Sequence, residues 1–163
     1  MKILIMSDSH HLNKVAQEVI KLEKPDMFIH CGDFEGDEAR FEEWVGAPKV
    51  PCAFVRGNND WSMELPNTRV FTMNKHKFFV THGHMQHVHG GLHNLRFAAE
   101  ENGCDIVIFG HTHMVCDEEA YGIRFLNPGS ISLPRGSKKK TYMIMELDES
   151  GEYTVKTRYV DTV

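Results

Sequence analysis

The 163-residue sequence has no apolar run long enough to cross a bilayer, which takes about 20 successive residues. Its first stretch, MKILIMSDSH, holds too short an apolar segment for the core of a signal peptide. Positive charge is also limited, since 18 lysines and arginines stand against 23 acids, for a net charge of −5. These absences argue against a membrane span, a secretory leader and an extended nucleic-acid-binding surface.

Cysteine is scarce and shows no pairing pattern. Cys31, Cys52, Cys104 and Cys116 form no C-x-x-C pair, so a structural zinc knuckle has no support. A chain of this length buries enough surface to fold without disulfides. We therefore expect one domain, residues 1–163, in the cytoplasm.

The first third of the chain alternates short apolar runs with amphipathic segments. KILIMSD, DMFIHCGD and VPCAFVRGNND are typical of buried strands. The segments between them, 11–25 and 35–46, predict helices, and this alternation is the pattern of parallel βαβ units. On the buried face of the first helix we expect Leu12, Val15, Ala16, Val19, Ile20 and Leu22.

The rest of the chain favours further strands and one helix. RVFTMNKHKFFVTHG predicts a hairpin that turns at Asn74-Lys75. Residues 141–160 predict a second hairpin that turns at Asp148–Gly151. GGLHNLRFAAEENG predicts a helix with Leu92, Leu95, Phe97 and Ala98 inward, and CDIVIFGHTH a buried strand. The pattern predicts an α/β (α+β) fold of two packed sheets with outer helices, whose second half is mostly antiparallel.

Histidine is abundant, with 11 copies, and several copies follow apolar runs. Five predicted strands end in DSH, GD, GNND, THGH and GHTH. Ligands gather beyond the carboxyl ends of strands in α/β sheets, and side chains two apart on an extended segment project the same way. The candidate metal ligands are Asp8, His10, Asp33, Asn58, His82, His111 and His113.

Carboxylate, amide and imidazole donors without thiolate suit Mn²⁺, Fe or Zn²⁺. Seven donors exceed one tetrahedral ion and suit two ions about 3.5–4 Å apart that share a carboxylate. Taken alone, Asp8 or Asp33 would be a helix cap and Asn58 a turn residue. Their coincidence at five strand ends favours the metal interpretation.

The other histidines have ordinary interpretations. His30 is expected in the core, and His76 is expected to be exposed in a turn. His87, His89 and His93 are expected on a loop or a helix surface.

Two features near the carboxyl end remain open. Arg135 fits contact with a substrate phosphate and an ordinary surface position equally well. The run Lys138–Lys140 favours a solvated turn between strands.

The five blocks, in this order, resemble the motifs of the calcineurin-like metallophosphoesterase superfamily. The short length and the segment Asn127–Ser130 make the chain most similar to the small single-domain phosphodiesterase branch, whose scaffold also occurs in the retromer subunit Vps29. The resemblance implies a four-layer α/β/β/α sandwich of two mixed sheets. It also implies ligands for two ions: Asp8, His10 and His113 for the first, Asn58, His82 and His111 for the second, and Asp33 for both.

One position departs from the family pattern. Many members carry histidine where this chain has Asn59, and an amide cannot serve as an acid. His84 is a candidate substitute, and Asp60 is expected to hold a ligand histidine in its tautomer. Asn59, Asp60 and His84 are thus the candidate catalytic residues beside the metal ligands.

The resemblance implies a phosphodiesterase in which a hydroxide bridging two divalent ions attacks phosphorus in line. Mn²⁺ is the first choice of metal, with Fe, Ni²⁺ and Zn²⁺ as alternatives. The expected substrate is a small phosphate ester, and the apolar terminal hairpin leaves a homo-dimer or higher oligomer open. The competing interpretations are a catalytically weak scaffold of the Vps29 type and a phosphomonoesterase.

Overall fold

The first sheet combines both ends of the chain. The computed structural model describes residues 1–36, 38–61 and 64–160, in which ten strands form two five-stranded sheets. The first sheet holds β1 (Lys2–Met6), β2 (Met27–His30), β3 (Cys52–Phe54), β9 (Thr141–Leu147) and β10 (Tyr153–Tyr159), in the order β10-β9-β1-β2-β3. Strands β1, β2 and β3 are parallel, as the alternating pattern predicts, and β9 pairs antiparallel with β1.

The second sheet is more mixed than the sequence suggests. It holds β4 (Thr68–Met73), β5 (His76–Thr81), β6 (Ile106–Ile108), β7 (Val115–Ala120) and β8 (Ile123–Pro128), in the order β4-β5-β6-β8-β7. The hairpins β4–β5 and β7–β8 are antiparallel, but β6 pairs in parallel with both β5 and β8. The second half is mostly antiparallel, as expected, with β6 as the exception; the crossover through a helix places it parallel to β5.

Three helices cover the outer faces of the sheets. Helices α1 (Asn13–Glu23) and α2 (Glu38–Val45) pack on the first sheet, and α3 (His93–Asn102) packs on the second after a 3₁₀ turn at Val88–Gly90. A third apolar cluster fills the space between the sheets. The four-layer α/β/β/α sandwich is confirmed. None of the helices in the described ranges is long and apolar enough to span a membrane.

The inter-sheet core comes from alternate residues of both sheets. Ile3 and Ile5 of β1 face Phe78 and Val80 of β5, and all four are fully buried. Each such side chain contributes about 1.5–3 kcal/mol when it leaves water. This core fixes the two sheets against each other and so positions the loops at their edges.

Helices α1 and α3 each bury a narrower face than the sequence predicts. Helix α1 buries Ala16, Val19 and Ile20, whereas Leu12 and Leu22 are 45% and 74% exposed. Residues two apart on a helix point about 200° apart, so Leu22 turns away when Ile20 faces the sheet. For the same reason the expectation that Phe97 faces inward in α3 is wrong, since it is 47% exposed.

The predicted turns lie at the edge opposite the motifs. Asn74 and Lys75 both adopt left-handed backbone angles, with φ of 45° and 73°, as a two-residue hairpin turn requires. The motif-bearing loops follow the carboxyl ends of β1, β2, β3, β5 and β6. This end of the sandwich is therefore the site to consider.

Candidate metal centre

Three predicted ligands form a first group at this edge. Nε2 of His10 lies 3.1 Å from Nε2 of His113. Nε2 of His113 lies 3.2 Å from Oδ1 of Asp8, and Nε2 of His10 lies 3.8 Å from the same oxygen. The loops after β1 and β6, from different sheets, thus bring Asp8, His10 and His113 together.

A second group lies around His82, after β5. Its Nε2 atom is 3.0 Å from Oδ1 of Asn58 and 3.2 Å from Nδ1 of His111. Asp33 lies between the two groups, because its Oδ2 atom is 3.4 Å from Nε2 of His82 and 3.7 Å from Nε2 of His10. All seven predicted side chains therefore converge.

The outer nitrogen of two imidazoles is occupied by a backbone carbonyl. Nδ1 of His82 lies 2.7 Å from the oxygen of Cys31, and Nδ1 of His113 lies 2.7 Å from the oxygen of Leu133. A carbonyl oxygen only accepts hydrogen bonds, so each Nδ1 carries the proton and donates it. In the neutral form that a metal ion requires, each ring presents the lone pair of Nε2 to the centre.

Glu35 does the same for His10, although no pattern in the sequence points to it. Its Oε2 atom lies 2.7 Å from Nδ1 of His10 and accepts a hydrogen bond from the N–H group at that position. Glu35 reaches this position because the backbone at Asp33 and Glu35 is left-handed, with φ of 57° and 51°. No spacing in the sequence indicates such a turn.

Asp8 is held so that one oxygen faces the centre. Its Oδ2 atom accepts hydrogen bonds from the hydroxyl of Ser7 and the N–H of His111, at 2.5 and 3.1 Å. Its backbone oxygen accepts from the hydroxyls of Ser130 and Ser132, both at 2.8 Å. Oδ1 of Asp8 is buried and finds no hydrogen-bond donor among the described residues.

When the imidazoles are neutral, these contacts leave the centre a cluster of lone pairs without protons between them. The Nε2 atoms of His10 and His113 face each other at 3.1 Å, and in their neutral forms both rings hold the proton on Nδ1. Oδ1 of Asp8 faces the same point without a donor. Buried acceptors without donors are costly, and a cation satisfies them together. The oxygen and nitrogen donors suit Mn²⁺, Fe or Zn²⁺.

The backbone supports the same interpretation. Five of the seven predicted ligands have positive φ, between 40° and 67°: Asp8, His10, Asp33, His111 and His113. Residues other than glycine rarely adopt this conformation, and such strain concentrates at functional sites. The fold therefore maintains unfavourable backbone geometry where the donors converge.

The carboxylates and imidazoles perturb one another strongly. Burial opposes charge on Asp8, but contacts with His113 and His82 outweigh it and hold the pKa of Asp8 below its ordinary value. Burial likewise opposes charge on Asp33, and His82 with Asn59 lowers its pKa. Both carboxylates are therefore charged at neutral pH, which a bound cation requires.

The profile of the calcineurin-like phosphoesterase superfamily domain matches residues 1–150. The chain belongs to this superfamily. Among curated relatives, "Probable metallophosphoesterase YsnB" of Bacillus subtilis is 36% identical over 151 residues, which cover 91% of this chain and 85% of the relative. "Phosphodiesterase YfcE" of Escherichia coli is also 36% identical and covers 91% and 89%. Membership makes the chain a metallophosphoesterase homologue, and its centre fits the divalent ions of that family.

Solved structures of the superfamily share the fold. A predicted phosphoesterase from Streptococcus pneumoniae matches with a TM-score of 0.80 and 28% identity, covering 97% of each chain. Vps29 of Entamoeba histolytica, in complex with Zn²⁺, matches with a TM-score of 0.76 and 22% identity, covering 99% and 100%. At that identity the second likeness establishes the fold alone.

Asn59, the position that departs from many superfamily members, holds the shared carboxylate. Its N–H donates to Oδ1 of Asp33 and its Nδ2 donates to Oδ2, both at 2.9 Å. The amide thus orients Asp33 between the two groups of ligands. It has no acidic proton to give.

Asp60 does not hold a ligand histidine, so that expectation is wrong. Its two oxygens instead accept four backbone N–H groups, at distances of 2.7 to 3.0 Å, from Asp33, Phe34, Glu35 and Gly57. Because two strand-end loops meet at these bonds, Asp60 fixes the turn that carries Asp33 and Glu35. It acts on the centre through the backbone.

His84 lies at the margin of the centre. Its ring centroid is 5.4 Å from that of His82, and its buried Nδ1 atom has no hydrogen-bond partner among the described residues. Burial and the neighbouring charge of His82 lower its pKa. The structure therefore brings His84 near the ligands without assigning it a partner.

The remaining histidines follow the sequence expectations with one exception. His30 is fully buried, stacks on Phe34, and has its pKa lowered to about 3 by burial. His76 is not exposed as expected, because Nδ1 lies 2.6 Å from Oδ2 of Asp105 and Nε2 lies 2.7 Å from the oxygen of Gly151. Three are exposed as expected: His87, His89 and His93.

Proposed function

We propose that the chain is a dinuclear metal-dependent phosphodiesterase that hydrolyses small phosphodiesters. The observation that carries the proposal is the position of Asp33. One of its oxygens lies within 3.7 Å of imidazole nitrogens from both groups of ligands. A carboxylate placed in this way suits a bridge between two cations.

The proposed ligand sets follow the two groups. The first ion is held by Asp8, His10 and His113, the second by Asn58, His82 and His111, and Asp33 is shared. We take Mn²⁺ as the first choice, with Fe, Ni²⁺ and Zn²⁺ as alternatives that the donor chemistry also allows. When bound, two such ions would attract the phosphate anion and supply a nucleophile by lowering the pKa of a water molecule.

The residues of the chain itself orient the site. Asn59 holds the carboxylate of Asp33 from one side, with two hydrogen bonds at 2.9 Å. Glu35 and the carbonyl of Leu133 hold the rings of His10 and His113 so that Nε2 faces inward. These fixed dipoles need no reorganisation during the reaction, which favours catalysis.

The amide at Asn59 bears on which esters the site can cleave. The amide cannot protonate a departing alcohol, so good leaving groups are preferred. His84 is the candidate substitute, since it lies beside the centre with an unpartnered Nδ1. The relative named as a phosphodiesterase, YfcE, supports the same substrate class.

A scaffold of the Vps29 type is the second candidate, because Vps29 shares the fold. A scaffold tolerates the loss of ligands, whereas every ligand position is filled in this chain and all seven side chains converge. The enzyme interpretation is therefore favoured.

All four cysteines are free thiols, which supports a reducing, cytoplasmic setting.

Metal reconstitution tests the proposal. Metal is removed with a chelator, and Mn²⁺, Fe²⁺, Ni²⁺ and Zn²⁺ are restored one at a time. Hydrolysis of bis-p-nitrophenyl phosphate and p-nitrophenyl phosphate is then compared, with Asp33→Asn as the inactive control. We expect metal-dependent hydrolysis that favours the diester. Hydrolysis of neither ester with any metal would support the scaffold, and a preference for the monoester would support a phosphomonoesterase.

A further inference from the structure

A second cavity shares a wall with the metal centre. It has a volume of about 270 Å³ and begins at His113, the buried imidazole of the first group of ligands. Its other walls are the loop around Arg135, the following Lys139, and Thr157 and Tyr159 at the end of β10. We call it the β10 cavity. The cavity and the metal centre therefore adjoin at His113.

The β10 cavity is basic in a chain that is acidic as a whole. Arg135 and Lys139 line it, and no aspartate or glutamate does so in the part of the chain that the structure describes. Lys2, Arg96 and Arg124, which pair with carboxylates, lie elsewhere. The two cations of the cavity thus meet no carboxylate there and suit an anionic group.

An aromatic ring holds one of these cations in place. The ammonium nitrogen of Lys139 lies 4.8 Å from the ring centroid of Tyr159, within the range of a cation–π contact. Both residues are exposed, and the contact places the amine at the wall of the cavity. Lys138 and Lys139 are exposed between β8 and β9, as expected of a solvated turn, and Lys139 also lines the cavity.

The loop that carries Arg135 is fastened to the metal centre. The N–H of Arg135 donates to the backbone oxygen of His113 at 2.9 Å, and Nδ1 of His113 donates to the oxygen of Leu133 at 2.7 Å. The same three-residue segment therefore orients a metal ligand and presents a guanidinium to the cavity. Guanidinium groups bind phosphate oxygens in bidentate fashion, which makes Arg135 the stronger of the two anion binders.

We propose that the β10 cavity binds a second phosphate group, carried on one ester arm of the diester whose central phosphate lies at the metal centre. This inference rests on the proposed phosphodiesterase function and narrows its substrate class. The preferred substrates are diesters of an alcohol that itself bears a phosphate. Arg135 and Lys139 determine this specificity without taking part in bond cleavage.

A matched pair of substrates tests the inference on the metal-loaded full chain. Thymidine 5′-(p-nitrophenyl phosphate) is compared with the same compound carrying a 3′-phosphate, and release of p-nitrophenolate is followed for both. The variants are Arg135→Gln and Lys139→Gln. Lys21→Gln, on the exposed face of α1, is the control that removes the same charge far from the cavity.

We expect the 3′-phosphate to raise kcat/KM about tenfold in the unaltered chain, the factor that ~1.4 kcal/mol of binding supplies. Arg135→Gln and Lys139→Gln should reduce this preference to about threefold or less, while Lys21→Gln retains it. All three variants should hydrolyse the substrate without the 3′-phosphate at an unchanged rate.

Two results would overturn the inference alone: equal hydrolysis of the two substrates, or an undiminished preference in both cavity variants. Hydrolysis of neither substrate with any metal would instead refute the phosphodiesterase proposal itself.

Discussion

Oε2 of Glu35 accepts a hydrogen bond from Nδ1 of His10 across 2.7 Å, and this contact decides which nitrogen of His10 faces the metal centre. Partners of this kind raise the basicity of a ligand and fix its ring, and their loss typically costs about 10–100-fold in metal affinity. Glu35 is therefore expected to matter although it touches no proposed ion.

Replacement of Glu35 by alanine should weaken Mn²⁺ binding at the first group of ligands by about 10–100-fold, because His10 loses its fixed tautomer. Glu35→Gln should recover part of the affinity, since its amide oxygen still accepts a hydrogen bond from Nδ1 of His10. Calorimetric titration with Mn²⁺ measures both. Glu43→Ala, an exposed glutamate of α2, is the matched control. Unchanged affinity in Glu35→Ala would show that the contact is incidental.

The close approach of Gly110 to Asp8 predicts a steric effect on the centre. A Cβ at position 110 would collide with the hydroxyl of Ser7 and come within 2.8 Å of Oδ2 of Asp8. Gly110→Ala should therefore displace Asp8 and lower both Mn²⁺ affinity and thermal stability. Gly90→Ala, where a Cβ meets nothing within 4 Å, should leave both unchanged. Equal behaviour of the two variants in calorimetry would contradict the packing described around Asp8.

Metal binding should compete with protons near neutral pH. Burial lowers the pKa of His82 and of His113, but contacts with Asp33 and Asp8 outweigh it and raise both above the ordinary value of 6.5. Protons on these rings stabilise the metal-free fold below pH 6.5, and this contribution is lost as pH rises through the raised pKa values. A metal ion requires the neutral rings, so its affinity changes in the opposite direction.

We therefore expect Mn²⁺ affinity to fall at least about tenfold between roughly pH 8 and pH 6, with protons released on binding. Calorimetry in two buffers of different ionisation enthalpy counts those protons. Binding that releases no proton near pH 7 would mean that the two imidazoles are already neutral without metal.

The amide at Asn59 predicts a steep dependence of rate on the leaving group. Without an acid, the departing phenolate must carry its full charge, so kcat should fall steeply from nitrophenol to phenol esters in a series of aryl diesters. Steady-state rates across the series give the slope. A shallow slope that becomes steep in His84→Gln would identify His84 as the acid and contradict this expectation.

The ligand set was predictable because parallel strands deliver their ends to one edge. The sequence itself shows that Asp8 and His82 lie within two residues of the end of a buried apolar strand. It also shows that His111 directly follows the glycine that flanks such a strand. Convergence of the two sheets then follows from their shared apolar core. The family resemblance added the division into two ions, which remains a proposal.

The supporting contacts were not predictable, because each joins distant segments through a turn that no periodicity encodes. Glu35 meets His10 from 25 positions away, through a left-handed turn. His76 meets Gly151 from 75 positions away, so a residue expected in solvent lies between two hairpins. Asp60 was expected to hold a ligand histidine, but its partners are backbone N–H groups. Almost every residue carries such a group, so no sequence pattern marks these partners.

The carboxylate of Asp33 is proposed to lie between two metal ions. Anomalous diffraction from crystals equilibrated with Mn²⁺ tests it most directly. We predict two anomalous peaks per chain, about 3.5–4 Å apart, with the carboxylate of Asp33 between them. A single peak, or two peaks that Asp33 does not bridge, would contradict the account.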